Sequence, residues 1–153
     1  MGFTDHNIRL DRIFAALGLD SGPHRFFVEL GFPAVAGSNT EALYRLGWQG
    51  VRFDGKCPGN AADNCQTAWI TASNIKHLFS NVSVPHGVDY VSIDLDSTDI
   101  WVLRALLSGD CAFRPKVISV EYNSNFPWEY ALAFPDEFHE VARQELRHWD
   151  RRC

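Results

Sequence analysis

Apolar positions in this chain fall into two rhythms. Near the start, Leu10, Ile13, Phe14 and Leu17 recur at helical spacing behind Thr4 and Asp5, which can cap a helix, and Gly18 supplies its stop. From Arg25 onward the pattern changes to short apolar runs separated by helical stretches, which predicts alternating strands and helices around a parallel sheet. The runs are FFVELGF from Phe26, GVRFD from Gly50, AWIT from Ala68, VDYVSIDLD from Val88 and PKVISVEYN from Pro115. They predict an α/β fold with a mostly parallel sheet of about five strands. The near-continuous Val and Ile of the last two runs predict central strands, covered on both faces.

Helices fill the gaps. In SNTEALYRLGW, Ser38 and Glu41 form a capping-box pair, Ala42, Leu43 and Leu46 supply an apolar face, and Gly47 ends the segment. A second stretch covers Ser73 to Asn81 with Ile75, Leu78 and Phe79 inward, and a third covers Asp99 to Leu107. A last, strongly charged helix is expected through Val141 and Leu146. Residues 1–24 therefore divide off as a helix and linker, and 25–153 as the sheet domain.

Composition narrows the partners. The chain has 153 residues, 46% of them hydrophobic, enough to bury one core. A formal charge of -5 lacks the basic footprint of a protein that wraps a nucleic-acid backbone, so a small-molecule, sugar or protein substrate is favoured. Met1–Asp20 is charged throughout, without the apolar core of a signal peptide or a membrane span, and the chain is expected to be cytoplasmic. Cys57, Cys65, Cys111 and Cys153 make no C-x-x-C pair, which disfavours structural zinc, and no metal ligands are assigned. Cys57 and Cys65 bracket a polar stretch and could pair in an oxidising compartment, but free thiols are expected in a reducing cytosol. Asn81-Val82-Ser83 matches the glycosylation sequon, which carries no weight in a cytoplasmic chain.

In an open parallel sheet, ligands bind beyond the carboxyl ends of the strands, and unusual residues gather at those positions. Glu29 and Gly31 follow the first run, and a loop with Gly37 leads to Ser38 and Asn39. Asp54 ends the second run, where a carboxylate can accept ribose hydroxyls. Phe32, Pro33, Ala34 and Val35 stand where a dinucleotide fingerprint needs its later glycines. A carboxylate at Glu29 would repel pyrophosphate and suits a cofactor with a cationic amino-acid tail. The fourth run ends in Asp94, Asp96 and Asp99, and burying the first two together requires hydrogen bonds, a cation or a ligand. Asp99 fits a cap or first-turn position of the next helix. The fifth run ends Glu121-Tyr122-Asn123, with Tyr122 equally able to pack.

Taken in order, FFVELGF, the loop ending Gly37-Ser38-Asn39-Thr40, LGWQGVRFDG, ITASNI, DYVSIDLDSTDIWV and RPKVISVEYN resemble the FkbM-like methyltransferases over roughly residues 25 to 125. The resemblance implies a Rossmann-like class I fold, with S-adenosylmethionine lying across the first strands. Glu29, Gly31 and the turn of Gly37, Ser38 and Asn39 would then contact the methionine end of the cofactor. Asp54 would hold its ribose, and Asp94 and Asp96 would face the methyl-transfer side. Asp96 is the candidate for accepting a proton from a hydroxyl acceptor or for holding a metal beside it, with Glu121 second and Tyr122 and Asn123 toward the substrate. Such folds carry a sixth and a seventh strand, for which no candidate follows Phe138. The chain thus reads as a C-terminally truncated member, its open sheet edge covered by the last helix, a second copy or a partner.

Two rivals stand beside this. Asp94-Leu95-Asp96-Ser97-Thr98 fits the D-x-D-x-T signature of haloacid-dehalogenase-like phosphatases, with Asp94 as nucleophile, Asp96 as acid/base and magnesium as cofactor. Lys116 is the only lysine after that signature. The other rival is a non-catalytic or partner-completed fragment of the methyltransferase fold.

Overall fold

The computed structural model describes residues 5–19, 25–32, 37–57, 64–109, 113–122, 129 and 132–136. In chain order its elements are α1 (Asp5–Ala16), β1 (Phe26–Leu30), α2 (Glu41–Arg45), β2 (Gln49–Asp54), β3 (Cys65–Thr67), α3 (Ile75–Asn81), β4 (Tyr90–Ile93), α4 (Asp99–Leu107) and β5 (Val117–Val120). The five strands form one sheet in the order β3-β2-β1-β4-β5. Every neighbouring pair is parallel. This is the open α/β arrangement that the alternating pattern predicts, compatible with a Rossmann-like fold. The chain winds outward from β1 to β3, then crosses back to β4, so the strand order reverses between β1 and β4.

Side-chain alternation along the strands sorts the residues onto two unequal faces. Val28, Leu30, Val51, Phe53, Val91 and Ile93 point to one face, where Ile75 and Phe79 of α3 and Val102 and Leu106 of α4 complete the larger core. Phe79 stacks on Phe53 at 6.2 Å between ring centroids and meets Phe113 edge-on at 5.1 Å. The opposite face is smaller and mixed: Phe27, Leu43, Trp48 and Tyr90 pack with Leu10 and Phe14 of α1. Beside them lies a row of polar side chains, Arg52, Glu29, Ser92 and Ser119, in register across four strands.

Several expectations are corrected. The third strand is Cys65–Thr67, not AWIT. The reason is covalent: Cys57 and Cys65 are joined in a disulfide, with 5.7 Å between their Cα atoms, and this seats Cys65 beside Arg52 at the sheet edge. Ala68 adds one further bond to the Asp54 carbonyl, while Ile70 turns into the core. The two cysteines expected as free thiols are therefore paired. The capping box does not form either. Thr40 is the N-cap of α2 but its side chain makes no capping bond: the Thr40 and Ser38 hydroxyls are both donated to Glu29, and the Glu41 carboxylate is taken by Arg45 and Arg52. Ile13, Leu17 and Leu46, expected inward, are exposed, so α1 is anchored by Leu10 and Phe14 and α2 by Leu43. β4 is buried along its length, whereas β5 has one described neighbour and is only half-buried. Val141 and Leu146 lie outside the described residues. No helix of the described residues is long and apolar enough to cross a membrane.

Candidate functional site

The carboxyl ends of β1, β4 and β5 are brought together by continuation of the ladder beyond the strands. The Asp94 amide donates to the Leu30 carbonyl, the Glu121 amide to the Ile93 carbonyl, and the Gly31 and Phe32 amides to the Phe53 carbonyl. Gly31, at φ +83°, is held where a side chain cannot fit: a Cβ there would stand 1.7 Å from the Asp94 carbonyl oxygen. Its absent side chain lets the turn after β1 press against the end of β4. Gly37, at φ +102°, opens the next turn toward free space.

Glu29 is fully buried, and its carboxylate is saturated by the chain itself. Oε2 accepts from the Ser38 hydroxyl at 2.7 Å and the Thr40 hydroxyl at 2.5 Å, and Oε1 accepts from the Asn39 amide at 2.7 Å. Arg52 completes the set, its Nε 3.5 Å from Glu29 Oε2, and its Nη2 reaches Glu41 at 3.2 Å. The guanidinium also sits within 4.7 Å of the Phe32 ring centroid and 5.0 Å of that of Tyr44. Glu29 thus holds the 38–40 loop in place. Asn39 then reaches across the mouth to Asp94 Oδ2 at 3.4 Å, linking the loop to β4.

Beyond this link the acidic residues converge. Asp94, Asp96 and Glu121 each offer one carboxylate oxygen, and the three lie within 4.8 Å of one another. Asp96 adopts φ +62°, a left-handed conformation that asparagine and aspartate tolerate better than most residues. Loss of solvent around Glu121, the hydrogen bond it shares with Asp94, and the charges of Asp94, Asp99 and Asp96 push its pKa up to about 7. Asp99 is buried in the first turn of α4, and one of its oxygens accepts from the Leu95 amide at 2.8 Å. Burial raises its pKa despite that bond. Oxygen donors in this number suit a hard divalent cation, or can hold and pass a proton near neutral pH.

Asp54 stands at the end of β2, half-exposed, with Oδ1 accepting from the Lys56 amide at 2.7 Å. Tyr122 is 79% exposed, so packing is not its role among the described residues. Asn123 lies outside them. Of the expected site residues, Asn39, Asp94, Asp96 and Glu121 form one cluster, and Glu29, Gly31 and Ser38 shape its wall.

Arg52 was not singled out by the sequence. Its signal is an arginine within an apolar run, at the strand position that pairs with Glu29 in the run before it. Asp89 was missed too. It is buried at the opposite edge, where Oδ2 accepts from the Phe26 amide at 2.9 Å and Oδ1 from Lys116 at 2.5 Å. Comparison with known proteins returns no match to a family model, a curated protein or a solved structure.

Proposed function

We propose that the chain is an S-adenosylmethionine-dependent methyltransferase acting on a hydroxyl of a small-molecule or sugar acceptor. The observation that carries this is the set of residues gathered at the carboxyl ends of the strands where the strand order reverses. There the Gly31 turn, the Asn39–Asp94 link and the carboxylates of Asp96 and Glu121 share one mouth, with Asp54 at the end of the adjacent strand. Open α/β sheets bind their ligands beyond the carboxyl ends of the strands at such a reversal. The donor set fits the cofactor: an acidic mouth favours a sulfonium and an ammonium group, and Asp54 is exposed enough to accept ribose hydroxyls. When bound, the cofactor supplies a methyl group already activated by the positive sulfur. The residues of the chain then have two tasks. The 38–40 loop, fixed by Glu29, aligns the ligand, and Asp96 or Glu121 takes the proton that leaves the acceptor hydroxyl. Glu121, with its pKa near 7, is suited to that transfer at neutral pH.

Calorimetric titration with S-adenosylhomocysteine tests the proposal. Micromolar binding that disappears in Asp54→Ala supports it. Absence of heat from the wild-type chain sinks it and leaves a non-catalytic fragment, or one completed by a partner chain.

One observation favours the phosphatase alternative, because three clustered carboxylates could hold magnesium. Another weighs against it: Lys116 pairs with Asp89 at the far edge of the sheet, too far to reach a phosphate at Asp94. Magnesium-dependent turnover of a generic phosphate ester, abolished by Asp94→Asn, would favour that alternative.

A further inference from the structure

Two features near β3 and α3 belong to no part of the proposed chemistry. One is the Cys57–Cys65 disulfide, a bond that persists in oxidising compartments and is rare in a reducing cytosol. The other is the end of α3. Each described helix is followed by a residue in the left-handed region: Gly18 at φ +65° after α1, Gly47 at +79° after α2, and Gly109 at +75° after α4. After α3 the residue is Ser83, at φ +55°. Its amide bonds the Ser80 carbonyl and the next amide, of Val84, bonds the Phe79 carbonyl, the helix-ending arrangement in which glycine is preferred. A side chain thus stands where glycine would be easier, and among the described residues the Ser83 hydroxyl makes no hydrogen bond. Ser83 is the third residue of Asn81-Val82-Ser83, the only N-x-S/T sequence in the chain.

Asn81 is the last residue of α3 and is exposed. Its amide nitrogen meets only His77 Nε2, one turn back on the same surface, at 3.1 Å, so the fold does not depend on it. The buried side of α3 is carried by Ile75 and Phe79. α3 enters from the carboxyl edge of the sheet and ends near Val84, on the way to the start of β4. A bulky group on Asn81 would therefore project from the end opposite Asp94, Asp96 and Glu121.

We propose that Asn81 is an acceptor for N-linked glycan, on a domain that forms its disulfide in the same oxidising compartment. In that step the Asn81 amide nitrogen bonds to the anomeric carbon of a polyprenyl-diphosphate-linked oligosaccharide. The carbon–oxygen bond to diphosphate breaks, the polyprenyl diphosphate leaves with the bonding pair, and the amide gives up one proton to the transferase. The Ser83 hydroxyl is the part of the sequon that the transferase reads.

The test is expression of the full chain behind a cleavable secretion leader in insect or mammalian cells. Intact mass and glycopeptide maps are recorded for protein from both lysate and medium. The wild type should carry one glycan, released by peptide N-glycosidase, and should lack two hydrogens for the Cys57–Cys65 bond. Asn81→Gln should lose the glycan. Ser83→Gly should lose it as well while melting no lower than the wild type, because glycine relaxes the backbone at that position and leaves Asn81 intact. The proposal is overturned by a wild type found only at its bare polypeptide mass, by a glycan that survives both substitutions, or by free, alkylatable thiols at Cys57 and Cys65.

Discussion

The two edges of the sheet handle carboxylates in opposite ways. At the amino edge, Asp89 is buried and matched: it ties the start of β1 through the Phe26 amide and the start of β5 through Lys116. At the carboxyl edge, Asp94, Asp96 and Glu121 crowd together, and among the described residues none of them forms an ion pair. Between the edges, Glu29 and Arg52 form a buried pair that connects the sheet to the loop lining the mouth. An edge with matched charge holds strands together, whereas unmatched charge of one sign is tolerated where a cationic or proton-carrying ligand can compensate it. The difference separates residues that keep the fold from residues free to do chemistry.

The sharpest way to break this contrast is to create an unmatched carboxylate inside the sheet. Arg52→Ala would leave Glu29 buried without its cation, and a loss of about 3–5 kcal/mol is expected in denaturant unfolding. Glu29→Met combined with Arg52→Met should recover most of that loss, since an apolar pair of similar volume suits a buried site. Under the proposed function, the double variant would still lose affinity for S-adenosylhomocysteine, because Ser38, Asn39 and Thr40 have lost their anchor. A single variant that loses under about 1 kcal/mol would show that the pair is not the link described here.

Asp89→Ala tests the matched edge with a smaller effect. It removes a buried acceptor from the Phe26 amide, and the half-exposed Lys116 loses a partner that solvent largely replaces. A loss of about 2–3 kcal/mol is expected, with ligand affinity unchanged. Equal damage to binding and stability would mean that the two edges are not separable.

The strand and helix elements were legible because period-2 and period-3.6 patterns report directly on burial: three of the five strands fall within the runs read from them, and β2 begins one residue before its run. The clustered acids were also legible, since they follow apolar runs in a parallel sheet. The disulfide and the third strand were not. CQT has no apolar signature, and its place in the sheet depends on a bond whose formation a single sequence does not reveal. Glu29 was noticed for its charge, but its partners come from a loop 9 to 11 residues away and from the neighbouring strand, contacts that pattern alone cannot rank. The exposed faces of α1 and α2 erred for a related reason: periodicity shows which residues share a helix face, and only tertiary packing decides how much of it is covered.

The smallest effect is also the most direct probe of the unmatched edge. Glu121 has its pKa raised from an ordinary 4.5 to about 7, so between those values the folded chain binds a proton that the unfolded chain has released. Stability from this group is therefore full below about pH 4.5 and declines as pH rises toward 7, above which the cost is constant. Glu121→Gln removes the titration. Its unfolding midpoint should match the wild type at low pH and exceed it modestly at high pH, the gain being small because the side chain is exposed. A midpoint difference that stays constant from acid to neutral pH would show that Glu121 does not feel Asp94 and Asp96. The opposite slope would mean that a positive group compensates the cluster, and the two edges would then be alike.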